Sequence, residues 1–239
     1  MANRAVDSEV SNAPDATREA LCKLMDEARL RVTRASPLAA MFARHQDDIP
    51  ATTLLRHAME QAQSAGLFRP LHAKAFCMLE DAQSPVVRLW GQHGMSEDHR
   101  EAAALAYLRH AGLGAAAIAE MPMLTSTLRL RRFVEWATGL HGPLPILLHA
   151  LWMERNREFG SDLFRTRPEA AEGAHAEGIL EVVANVAADA QAMKAAAQLI
   201  HAIAEFTAMY FAELDAVCGT AAPAGRERRP AADVSLPAR

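Results

Sequence analysis

Apolar residues recur along the chain at every third or fourth position, the spacing of one face of a helix, and nowhere alternate as a half-buried strand requires. Thr17 to Thr33 places Leu21, Leu24, Met25, Ala28 and Leu30 at helical spacing. Ser36-Pro37 opens a second, short helix, because Ser caps free N–H groups and Pro needs no partner in the first turn. Pro50-Ala51-Thr52 opens a third helix that should end at Gly66, and Pro70 a fourth that runs to about Ala82, before the break at Ser84-Pro85. Residues 86–112 read as a further helix, with a kink at Gly91 to Gly94 and a stop at Gly112 and Gly114. After Pro122 and Thr125, the stretch Thr127 to Thr138 is amphipathic, and Gly142-Pro143 begins an apolar helix expected to reach Phe164. Pro168 begins another, carrying Glu172 and His175, and Asp189 is placed to cap a last helix from Ala190 to Val217.

This pattern predicts a single all-α domain over residues 17–218, a multi-helix bundle of about eight to ten helices with room for a site in its interior. Residues 1–16 lack an apolar core and read as a disordered leader, and 219–239 read as a disordered Pro-, Ala- and Arg-rich tail. Composition agrees: the 239 residues are 51% hydrophobic but only 5% aromatic, with abundant Ala and few β-branched residues, which favours helix over strand.

A net charge of −4 and a pI near 6.2 give no general attraction to nucleic acid. Basic residues such as Arg129, Arg131 and Arg132 read as a solvated helix face with a few ion pairs. Cys22, Cys77 and Cys218 are too far apart for a disulfide framework or a zinc knuckle, and a cytoplasmic location is expected. The most apolar stretch, Leu144 to Met153, contains His149 and falls far short of the roughly 20 residues of a membrane span, so no membrane partner is expected.

Chemistry has to come from polar residues on otherwise apolar faces. Glu172-Gly173-Ala174-His175 puts a carboxylate and an imidazole three apart, on one helix face, where both can reach one metal. Glu154 follows a mostly apolar run in LLHALWMERN, so it is either buried with a partner or marks an outer face paired with Arg155 or Arg157. His149 in the same helix reads as a core or rim histidine. Gln92 and His99 are two turns apart in a polar cluster before an Ala-rich helix, and His201 with Glu205 form an i, i+4 pair, read as a core or supporting pair.

Taken in order, LWGQHG, His99, LAYLRHAGLG, ALWME, Glu172-Gly-Ala-His175 and AEFTAMYFAEL resemble the heme-oxygenase-like superfamily over residues 68–217. The likeness is to its iron-containing redox enzymes, relatives of the thiaminase-type and pyrroloquinoline-quinone synthase proteins. The resemblance implies a metal held by His99, Glu154, Glu172 and His175, with Gln92, His201 and Glu205 as supporting groups. The family's first Glu ligand is Gln92 here, and Pro168 stands where a further His is expected. The remaining four side chains would suffice for one iron or manganese ion. Heme is not expected, because the first helix offers Cys22 and no His.

The implied activity is an iron-dependent oxidase or oxygenase acting on a small amine or acid. The alternative is a metal-free or catalytically lost ligand-binding or accessory protein on the same bundle. A homodimer is the default expectation for such a chain.

Overall fold

The computed structural model describes residues 13–44, 48–79, 101–159, 164 and 172–219, with the side chains of residues 13, 14 and 172–175 outside that description. All regular structure among the described residues is helical: α1 (Ala13–Ala35), α2 (Pro37–Ala43), α3 (Ala51–Met78), α4 (101–110), α5 (Ala115–Glu120), α6 (Thr125–His141), α7 (Leu144–Arg155), α8 (Glu172–Val186) and α9 (Ala190–Cys218). None of these helices is long and apolar enough to cross a membrane.

Two of the predicted start signals act as expected. Ser36 caps α2 by accepting from the Ala39 N–H at 3.2 Å, with Pro37 in the first turn, and Asp189 caps α9 by accepting from the Ala192 N–H at 2.7 Å. Helix α1 begins at Ala13, inside the expected disordered leader, because Pro14 and Asp15 are favourable first-turn residues. Gly112, at φ +82°, closes α4: its N–H bonds the Arg109 carbonyl and the Leu113 N–H bonds the Leu108 carbonyl.

Two boundaries differ from expectation. Helix α3 runs unbroken through Gly66 and Pro70. Pro70 has no N–H for the Gly66 carbonyl, but both residues face solvent, where water can satisfy that carbonyl. On the opposite face Phe68, Leu71 and Ala75 are buried in the core and hold the second half of the helix in line. The apolar helix α7 stops at Arg155 instead of continuing to Phe164. Asn156 bonds the Trp152 carbonyl with both its backbone N–H (3.1 Å) and its side-chain amide (2.9 Å), and a short 3₁₀ turn, Arg157–Phe159, follows.

Helix α9 packs against α1, α2, α3, α6 and α7, and α7 packs against α6, α8 and α9. Being surrounded explains why α7 is apolar on all sides: from Leu144 to Trp152 every residue is buried, each Leu contributing about 2 kcal/mol. Gly142, at φ +61° and ψ −141°, makes the two-residue link that lets α7 pack back on α6. A smaller core of Ala58, Met59, Ala62, Ala104, Leu108, Ile118 and Phe164 lies on another side of α3. Helix α3 therefore joins two cores, and its polar residues between them are held in place from both sides.

Candidate functional site

Four helices leave a cavity of ≈ 100 Å³ between them, each presenting a stripe at helical spacing. Glu60, Gln61, Ser64, Ala65 and Phe68 come from α3, and Ser126, Thr127 and Leu130 from α6. His149, Trp152, Met153 and Asn156 follow the α7 face, and Phe206, Thr207, Tyr210 and Phe211 that of α9. Phe159, Phe164 and Glu101 complete the wall. The His149 ring stacks on Phe68 with centroids 4.3 Å apart and planes 13° from parallel, so aromatic surface dominates one side.

The polar end is built around the start of α6. Leu124, its N-cap residue, has no side chain able to cap, and two glutamates from other helices do so instead. Glu60 accepts from the Leu124 N–H at 2.7 Å and the Thr127 hydroxyl at 2.9 Å, while Glu213 accepts from the Thr125 and Ser126 N–H groups, both at 2.8 Å. Arg56 donates to Glu60 at 2.7 Å and to the Pro122 carbonyl at 2.6 Å, which ties the preceding loop to α3.

Burial raises the Glu60 carboxyl above its ordinary value, against the opposing pull of the Leu124 N–H, the Thr127 hydroxyl and Arg56. At Glu213 burial also pushes upward, but the hydrogen bonds from Ser126 and Thr125 together outweigh it and the carboxyl sits below its ordinary value.

Behind the cavity wall, Nδ1 of His57 and the Tyr210 hydroxyl lie 2.5 Å apart. Burial lowers the His57 pKa to about 3, with the Phe159 carbonyl pulling the other way, so the ring is neutral. Nε2 has no hydrogen bond of good geometry, and Phe159 is the backbone group acting on the ring. With Nδ1 accepting from Tyr210, the proton of the neutral ring is on Nε2. Burial, reinforced by the Glu60 charge, holds the Tyr210 hydroxyl well above its ordinary range, so it stays protonated as a donor.

The residues singled out in the sequence are distributed differently. Gln92 and His99 lie outside the described residues, and the Glu172 and His175 side chains at the start of α8 are likewise outside them. Glu154 is buried, with its side chain 1% exposed, and accepts from Arg157 Nε at 3.2 Å and Nη2 at 3.1 Å. Both contacts fall on Oε2, so a guanidinium stands where a cation bound to that oxygen would sit. Arg155 turns instead toward Cys22 and Asp26. His201 and Glu205 do meet, at 3.0 Å, but with side chains 50% and 65% exposed, which puts the pair at the surface instead of in the core; Arg31 reaches the other His201 nitrogen.

Among the described residues no three His, Cys, Asp or Glu side chains are grouped as a metal site. Of the four side chains that the resemblance implies as iron ligands, only Glu154 lies among the described residues. Of the residues that line or support the cavity, the sequence reading missed Arg56, His57, Glu60, Asn156 and Tyr210. One signal was present: Arg56 and Glu60 are an i, i+4 pair of opposite charge on one helix.

No protein family, curated protein or solved structure matches the chain. The site's own geometry is the ground for a functional reading.

Proposed function

We propose that this all-α protein binds a small organic molecule in the cavity between α3, α6, α7 and α9, recognising it by aromatic packing and hydrogen bonds. This is the metal-free, ligand-binding form of the heme-oxygenase-like bundle that the sequence resembles. The observation that carries it is the wall itself: four helices bring aromatic rings and buried polar groups to one small space. The iron-dependent oxidase reading asks Glu154 to serve as a ligand, and Arg157 on its carboxylate weighs against that role.

Toluene, a single ring with one methyl group, is a suitable probe. Saturating toluene should raise the unfolding temperature of the protein by mass action, and a cavity-filling Ala65→Phe variant that still unfolds cooperatively should lose the response. An unchanged midpoint with toluene and with its amine counterpart, aniline, overturns the reading. So does about one iron per chain after anaerobic Fe²⁺ loading, if Glu154→Ala abolishes it.

A further inference from the structure

We infer that the cavity selects a single small ring that brings its own hydrogen-bond donor and carries no negative charge, an aromatic amine in preference to a plain hydrocarbon or an acid. The inference rests on the cavity being a ligand site and specifies what that site takes. Size sets the first limit: an engineered cavity of about 150 Å³ accommodates benzene, so ≈ 100 Å³ admits one ring with little substitution.

Asn156 sets the second. It is 4% exposed, it lines the cavity, and one of its amide N–H groups bonds the Trp152 carbonyl, while its Oδ1 meets no donor. A buried acceptor left unmet costs free energy that a bound N–H or O–H would recover.

Four of the five lining hydroxyls, all but Ser126, favour the same kind of ligand, because their protons are already committed. Thr127 donates to Glu60, Thr207 to the Ile203 carbonyl at 2.9 Å, Ser64 to the Gln61 carbonyl at 3.1 Å, and Tyr210 to His57. What these groups still offer is lone pairs. Charge supplies the third limit, since the ionisable acids and bases on the wall include Glu60 and Glu101 but no Lys or Arg. A carboxylate ligand would find no cation on the wall to receive it, because Arg56 and Arg69, which pair with Glu60 and Glu101, do not line the cavity.

The test is a binding series on the full chain with three probes of similar shape: aniline, toluene and benzoate. Calorimetry should show aniline binding about tenfold tighter than toluene, the effect of one hydrogen bond to an otherwise unmet acceptor, with benzoate weakest of the three. In Asn156→Leu the aniline preference should fall to about onefold while toluene still binds, showing that the cavity persists. The wild-type series decides the matter even if that variant does not fold.

Toluene binding as tightly as aniline, or benzoate binding as tightly as either, overturns the donor preference and leaves the cavity reading standing. Failure of all three probes to bind overturns both.

Discussion

Glu60 and Glu154 are both carboxylates with 1% exposed side chains, and each has an arginine within a helical turn, Arg56 four residues before and Arg157 three after. Their surroundings differ. Glu154 sits at the end of α7 and meets Arg157 in the 3₁₀ turn that follows, a pairing within one short stretch of chain. Glu60 meets its arginine on α3 and also takes the Leu124 N–H and the Thr127 hydroxyl, groups more than sixty residues away. A local ion pair fixes the end of one helix, whereas a carboxylate shared between helices fixes how α6 sits on α3 and so shapes the cavity wall. The conspicuous acid, alone on an apolar helix, is absent from the cavity wall, and the inconspicuous one lines it.

The contrast predicts unequal costs. Glu60→Ala should destabilise the protein by about 4 kcal/mol in denaturant unfolding, since it leaves the Arg56 charge buried without its carboxylate and uncaps α6 at once. Glu60→Gln, which keeps an acceptor for the Leu124 N–H, should lose about half as much. A cost below about 1 kcal/mol for Glu60→Ala would remove the distinction drawn between the two acids.

Arg157→Met tests the other side. It should cost about 3 kcal/mol by leaving Glu154 buried without its guanidinium, and the double variant Glu154→Leu with Arg157→Met should recover most of the loss. Recovery marks the pair as replaceable by packing. If the double variant stayed as unstable as Arg157→Met alone, Glu154 would have a role beyond pairing, and the metal-ligand reading would gain support.

How much of this was legible follows the same division between local and distant. Caps are local: Ser36 with Pro37, Asp189, and Gly112 each act within a few residues of themselves and were readable in the sequence. The all-round apolar character of α7 announced burial. Pro70 misled because its effect depends on which face of α3 it occupies, and that is set by α6, α7 and α9 packing on the opposite side. Glu60, Tyr210 and Asn156 were passed over because their functional partners lie on other helices or, for the Asn156 acceptor, in the ligand to be bound. The sequence spacing that drew attention to Glu172 with His175, and to His201 with Glu205, reports only that two side chains share a helix face. For His201 and Glu205 that face is the solvent one.

The cavity side of the comparison is sharpened by Tyr210→Phe. Removing the hydroxyl leaves His57 Nδ1, on a fully buried residue, without its donor. The expected loss is about 1.5 kcal/mol, measured by thermal or denaturant unfolding. Because the phenyl ring keeps its contacts with Phe211, toluene binding should persist in this variant. A Tyr210→Phe variant as stable as the wild type would mean that the His57 contact contributes nothing net.

The smallest effect separates two carboxylates at the same helix start. Glu213 has a folded-state pKa below its ordinary value of 4.5, so ionisation favours the folded state. Its contribution is present above that value and is lost as pH falls through the lowered one. Glu60 runs the other way: burial raises its pKa, so its contribution is full below 4.5 and is lost as pH rises through the raised value. Unfolding measured from pH 3 to about 7 should therefore show the wild type pulling ahead of Glu213→Gln as pH rises, reaching about 1 kcal/mol, the usual worth of a helix cap. Over the same range the wild type should lose ground relative to Glu60→Gln. Parallel curves for the two variants would show that a carboxylate buried between helices and one held nearer the surface feel the same α6 terminus alike, contrary to the opposite shifts their surroundings impose.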